Sequence, residues 1–414
     1  MAAKSRLPLQ FWIVTLVAFI NSVSFTIIIP TLYPYAKEFG LSDLAASLLT
    51  TAFSLSQFLG TPILGRLSDR IGRKPLLVVS LLGTVVANLL AAVSPFAWWL
   101  YLARMLDGLT GGNNSVAHAV VSDITTPAQR TQAFGIFGGM FRLGFVVGPP
   151  LAYFAQTLQP LPGITPLGMS FVVSALMALV AAILCFAILP ETRPPVECDR
   201  TSADLSVRTL KLFLTDFGFG RLVNSFRKPV VGRIFLMTFL NGATFTVFTF
   251  AFQPFFLTVL EQDTKMLAFA FVFFGVLAFL SQIFLLEPLR KRMSLVTLLV
   301  VALILRGILL ILYPSFPTIE AFWILLFFFG VVNAFPMPLI DSLLSLRTSK
   351  DEQGEALGTI SSCLSIANAI GPAISGLLVT FGYGIPFFVA GGLTIAIALF
   401  AVSLNAPGNK APAV

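Results

Sequence analysis

"GRLSDRIGRKPLL", residues 65–77, sets four basic residues and one aspartate between two apolar runs. The chain around it is 57% hydrophobic and 11% charged, whereas an ordinary soluble domain carries about 25% charged residues. So much charge in so short a stretch marks a place where the chain leaves an apolar solvent. On either side, apolar runs of roughly 20 residues recur about a dozen times, each long enough to cross a bilayer as a helix. A soluble fold cannot bury that many such segments. The sequence therefore predicts an all-α integral membrane protein.

The expected spans, numbered 1 to 12, are 10–33, 46–65, 75–93, 98–121, 131–153, 168–190, 231–256, 266–286, 295–313, 321–346, 356–380 and 384–405. Short turns separate them, among them "SPFA", "PLPGITPLG" and "YPSFP". Helices are required because backbone polar groups in lipid must find partners within their own segment. With the N-terminus in the cytoplasm, only Lys37 and Lys265 fall outside, and Arg104, Arg142 and Arg306 fall within spans. The other 21 of 26 basic residues then lie inside, as the positive-inside rule prefers. The net charge of +8 is thus a topology signal, and no nucleic-acid partner is read from it. Residues 10–33 are too long for a signal peptide and precede no small-residue cleavage site, so they are expected to stay as span 1. A bacterial inner membrane with both termini cytoplasmic is the expected setting.

Three distant cysteines and a single histidine offer neither a disulfide framework, a metal cluster nor hydrolytic chemistry. With no phosphate loop or nucleophile elbow either, no enzyme and no cofactor is expected. The expected partners are a small-molecule substrate and the bilayer, for a chain acting as a monomer.

The sequence divides at its middle and repeats. Residues 1–190 and 231–414 each hold six spans, and 191–230 form a polar linker whose latter part has the spacing of an amphipathic helix lying on the membrane. "AQRTQAFGIF", 128–137, aligns with "DEQGEALGTI", 351–360, at a shift of 223, which also carries Gly148 and Pro149 onto Gly371 and Pro372. At a shift of 222, Leu67 and Arg70 land on Leu289 and Arg292. A parallel repeat of six helices is one established transporter plan, with its substrate site near the midplane.

These residues carry a family resemblance. "GRLSDRIGRK" resembles the signature loop between helices 2 and 3 of the major facilitator superfamily. "RMLDGLTGG", 104–112, resembles its helix 4 motif at Arg104 and Gly108, and "GFVVGPP", 144–150, its helix 5 antiporter motif at Gly144, Gly148 and Pro149. "LPET", 189–192, closes span 6 in the same manner. The twelve-helix drug/proton antiporters, including tetracycline exporters, are similar across "SDITTPAQRTQAFGIF", 122–137. Two positions differ: Asn21, nine before Pro30, stands where those exporters carry an acid, and "LAYF" replaces the glycine pair after the helix 5 motif.

The opening motif then reads as a cytoplasmic gate. Gly65 and Gly72 permit close helix approach and a sharp turn. Asp69 is placed to meet the N-terminus of span 11, whose free N–H groups favour an anion. Arg70 or Arg73 is placed to pair with Asp123 at the inner end of span 4. The resemblance implies that these contacts latch the two halves; Arg66 and Lys74 read instead as loop anchors.

Charges inside spans are costly unless paired or wet. Arg104 and Asp107 share a helix face, and Asp107 and Arg142 lie at similar depth, so they are expected to meet across neighbouring helices. Two readings of Asp107 stay open, a proton-carrying carboxyl or a permanent ion pair. The resemblance implies that Arg104 braces span 1. His118 and Asp341 coincide at the 223 shift as a further candidate proton pair, and Arg306 is the remaining buried cation. Asn21, Asn113, Asn114, Asn241 and Asn333 read either as cavity-lining groups or as glue between helices. Phe245 and Phe335 are candidate contacts for an apolar substrate. Arg142, at a place that is small in the resembling exporters, suggests a substrate with an anionic or zwitterionic head. The expected function is proton-coupled export of a small amphipathic molecule by alternating access. The alternatives are a facilitator or symporter for an organic anion or sugar, and a non-transporting membrane sensor.

Overall fold

The computed structural model describes residues 7–192, 226, 231–348 and 353–402; the side chains of residues 127, 128, 131, 141, 142, 353–355, 357 and 358 lie outside the description. The expected amphipathic helix of the linker falls almost wholly outside the described residues. Among the described residues every regular element is helical. In order these are α1 (Leu9–Ile27), α2 (Ile29–Glu38), α3 (Asp43–Ile71), α4 (Arg73–Ala92), α5 (Ala97–Thr110), α6 (Asn113–Ile124), α7 (Pro127–Thr157) and α8 (Gly168–Ile188). They are followed by α9 (Val231–Pro254), a π-helical turn (Phe255–Val259), α10 (Thr264–Phe284), α11 (Leu286–Arg292), α12 (Leu295–Ser315), α13 (Ile319–Asn333), α14 (Pro336–Arg347), α15 (Gln353–Val379) and α16 (Ile385–Val402).

Among the described residues, eleven helical stretches are long and apolar enough to cross a membrane, some of them running over a local break. The span expected over 98–121 is instead built from α5 and α6, each too short alone, separated by Gly111 and Gly112. Span 10 breaks likewise between α13 and α14, at Ala334 and Phe335. The two breaks coincide at the 223 shift, so the repeat reaches into local backbone geometry. Their causes differ. In span 4 the glycines let α3 come against the backbone: an added Cβ on Gly112 would strike Thr61, and one on Gly60 or Gly108 would strike the carbonyl of Leu109 or Phe53. Gln57 donates to the freed Gly111 carbonyl at 3.1 Å. In span 10, Pro336 and Pro338 remove two N–H donors and so end the ladder. Span 1 jogs at Ile28, just before Pro30, and span 7 loosens into a π turn after Pro254.

Helix starts follow local chemistry. Ser42, Ser294 and Thr318 accept the N–H of the third residue on, capping α3, α12 and α13. Thr126 and Gln129 close α7 with a capping box.

The chain packs as two compact units, Met1–Val196 with Gln253–Val276, and Glu197–Phe252 with Leu277–Val414. The halves expected from the sequence differ from this grouping by the segment 253–276. In the first unit α4 packs along α8, and α1 along α7. In the second, α12 packs along α16 as the repeat requires. Each unit has its own apolar core, one including Phe11, Leu77, Val120 and Ala181, the other Phe235, Leu299, Leu339 and Ala398.

Candidate functional site

The loop motif closes on Arg73. Gly72, at φ +104°, makes the turn between α3 and α4 that an L side chain rarely adopts, and leaves Arg73 as the first residue of α4, only 5% exposed. Its Nε lies 3.0 Å from Asp123 Oδ2 and its Nη2 2.7 Å from Asp69 Oδ1, while Nη1 donates to the Ser68 hydroxyl at 2.5 Å. Arg73, rather than Arg70, is therefore the partner of Asp123. Asp69 takes part in the same cluster; the partner expected for it, the first turn of α15, has side chains outside the description. Among the described residues nothing packs against Gly65, where a Cβ would meet open space: α3 runs straight through it.

One participant had no assigned role in the sequence reading. Glu191, from the "LPET" at the end of span 6, accepts the backbone N–H of Arg73 at 2.9 Å and of Lys74 at 3.1 Å. Its carboxylate thus sits at the positive end of α4 and fixes the residue on which the ion cluster is built.

In span 4, Arg104 and Asp107 form a salt bridge, both nearly inaccessible at 2% and 4% exposure. The Thr84 hydroxyl of α4 is a further donor to Asp107. The Arg104 guanidinium lies 5.1 Å from the Phe53 ring centre and 6.0 Å from that of Phe171. The contacts described for Arg104 come from spans 2, 4 and 6, where the aromatic faces of Phe53 and Phe171 receive its cation. The expected contact of Asp107 with Arg142 involves a side chain outside the description; the partner observed is Arg104. Asn21 donates to Asn113 at 3.3 Å, leaving the buried Nδ2 of Asn113 without a partner. These two asparagines join span 1 to the start of α6. Asn114 is half-buried beside them. His118 packs its ring on Phe134 and Phe137, at 5.6 and 4.7 Å, and Asp341 is half-buried on α14.

The helix 5 and helix 11 glycines form matching joints. Thr26 donates to the Gly144 carbonyl at 2.8 Å, and a Cβ on Gly148 would collide with the same hydroxyl. In the second unit, Thr246 donates to the Ala367 carbonyl at 3.1 Å, and a Cβ on Gly371 would collide with it in turn. The 223 shift carries Gly144 onto Ala367 as it carries Gly148 onto Gly371. α7 and α15 continue unbroken through Pro149 and Pro372.

The second unit also holds a cleft of about 130 Å³ walled by Asn241, Phe245, Arg306, Asn333, Met337 and Asn368, among others. Arg306, on α12, is 1% exposed. Its Nη1 donates to Asn241 Oδ1 at 2.6 Å, and its Nη2 to the Thr244 hydroxyl at 2.9 Å. Of the two candidate phenylalanines, Phe245 lines this cleft, whereas Phe335 is buried in the core. Met337 and Asn368 were not anticipated. Asn333 with Met337, and Leu364 with Asn368, recur at a four-residue spacing, but nothing in the sequence tells a cavity face from a packing face.

The chain matches the family model described as Major Facilitator Superfamily over residues 14–233 and again over 234–413. It is 27% identical over 379 residues to the tetracycline resistance protein, class H, of Pasteurella multocida, covering 89% of this chain and 88% of that one. It is 30% identical over 363 residues to major facilitator superfamily domain-containing protein 10 of Bos taurus, covering 83% of this chain and 74% of that one. Among solved structures, the human organic anion transporter MFSD10 (TETRAN) superposes with a TM-score of 0.67 at 22% identity, covering 95% of this chain and all of that one.

Proposed function

The chain belongs to the Major Facilitator Superfamily, and from that premise we propose that it exports a small amphipathic molecule by alternating access, with protons as counter-ion. It is an integral, multi-pass membrane transporter. The observation that carries the proton reading is Asp107, a carboxylate buried in the membrane-spanning part of the chain beside a helix break, with one arginine as its charged partner. Proton uptake by Asp107 frees Arg104 from its counter-charge, so the charge state of span 4 follows the proton. The distribution of basic residues supports a chain with both termini in the cytoplasm of a bacterial inner membrane.

A second reading, transport of an organic anion without proton exchange, is favoured by Arg306, which has no carboxylate among its described partners. A solved relative is described as an organic anion transporter. Flux into proteoliposomes with and without a pH gradient separates the two. Gradient-driven accumulation supports exchange for protons, and equal flux under both conditions supports the second reading.

A further inference from the structure

We propose that the cleft beside Arg306 is the seat of a carboxylate: Arg306, Asn241, Asn333 and Asn368 receive the anionic head of the transported molecule, and Phe245, Met337 and Leu364 its apolar body. The proposal rests on the transport reading and deepens it by naming the substrate class and the residues that select it.

A guanidinium at 1% exposure within a span is a charge removed from water. The groups that meet it are neutral: the side chain and carbonyl of Asn241 and the hydroxyl of Thr244. Its Nε has no acceptor among the described residues. Neutral dipoles offset only part of the cost of burying a full charge. The site is therefore short of one negative charge and of at least one hydrogen-bond acceptor, and a carboxylate supplies both.

The repeat shows that the shortage is local to the second unit. At the 222 shift Arg306 answers to Thr84, the residue that contacts Asp107 in the first unit. At the 223 shift Asp107 itself falls on Gly330. The first unit thus sets an acid against its arginine, and the second unit has a glycine where that acid would stand. The wall of the cleft adds to the same preference. Asn333 and Asn368 supply amide N–H donors at the rim without adding charge.

Equilibrium dialysis of the protein in lipid nanodiscs against three matched probes tests the assignment: 1-naphthoate, 1-naphthamide and 1-naphthylmethylammonium. The expected result is naphthoate binding tighter than naphthamide by about tenfold or more, the range of a charge-assisted hydrogen bond. Arg306→Gln should abolish the difference and Arg306→Lys should keep part of it. Should Arg306→Gln fail to fold, Asn368→Asp decides, because it places at an exposed wall position the one negative charge that Arg306 lacks; the preference for naphthoate over naphthamide should then be lost. Equal affinity of wild type for naphthoate and naphthamide, no binding of any probe, or an unchanged preference in either folded variant would overturn the proposal. Dialysis needs no gradient, so the two readings can fail separately. Selective binding without counterflow in proteoliposomes would keep the site and sink the transport reading. Counterflow of all three probes at one rate would do the reverse.

Discussion

Arg73 and Asp123, distant in the chain, meet at 3.0 Å across the first unit, with the arginine side chain 6% exposed and the aspartate 26%. The pair joins the start of α4 to the end of α6, and Asp69 and Ser68 accept from Nη2 and Nη1 of the same guanidinium. Removing the cation leaves two carboxylates close together, so Arg73→Gln should both lower thermal stability and cut transport severely. Asp69→Asn should insert and fold nearly normally yet lose most transport, while Arg66→Ala should be mild. Melting curves in detergent and flux in proteoliposomes check the three; wild-type flux in Asp69→Asn would remove the gate reading.

Glu191 gives a sharper test of how the gate is built. Its carboxylate receives two backbone N–H groups of α4, and losing a cap of this kind costs about 1 kcal/mol. Glu191→Ala should therefore lower the melting temperature by a few degrees and slow transport less than Arg73→Gln does. Glu191→Gln, which keeps one acceptor oxygen, should fall between Ala and wild type. Equal melting of all three proteins would show that the cap contributes nothing.

Asp107 carries the coupling prediction. Asp107→Asn should abolish accumulation driven by a pH gradient while sparing exchange at equal pH, since the amide still fits between Arg104 and Thr84 but cannot carry a proton. Asp341→Asn is the matched control on α14. Gradient-driven accumulation surviving in both single mutants would move the proton to His118 or dismiss exchange for protons altogether.

The glycine joints predict a matched pair of defects. Gly148→Ala and Gly371→Ala each push a methyl group into a threonine hydroxyl, and overpacking of this sort costs about 1–3 kcal/mol. Thr26→Ala should recover part of the first loss and Thr246→Ala part of the second. Exchanging the partners, Thr246→Ala with Gly148→Ala, should recover nothing. Melting temperatures of the four double mutants decide it.

Much of this architecture was legible in the residues. Apolar runs mark spans because lipid leaves the backbone no alternative to the helix, and the 223 shift is visible because Gly148 and Gly371 answer to the same steric demand. Arg73 was legible only as one of two candidates: it and Arg70 lie on different helices either side of the Gly72 turn, and the sequence does not say how that turn aims each side chain. The breaks in spans 4 and 10 were hidden because an apolar run reads the same whether or not its hydrogen bonds are continuous, although "GG" at 111–112 and the prolines at 336 and 338 are signals in hindsight. The role of Glu191 was hidden by distance in sequence, since a cap supplied from so far along the chain leaves no local pattern. Arg306 was seen as a buried cation, but the neutrality of its partners emerges only when Asn241 and Thr244 are placed around it.

An arginine with no carboxylate among its described partners is also a charge in an electric field. The Arg104–Asp107 pair is electrically silent while the aspartate is ionised, but the unloaded cleft presents the membrane voltage with the full positive charge of Arg306. Moving one such charge through 100 mV is worth about 2.3 kcal/mol, enough to bias which way an unloaded carrier rests. A bound anion would cancel that charge, so the loaded carrier should reorient with little regard to voltage while the unloaded one feels it. Electrode recordings on supported membranes would then register the return of the unloaded protein, and the outward journey of the cargo would pass almost unseen.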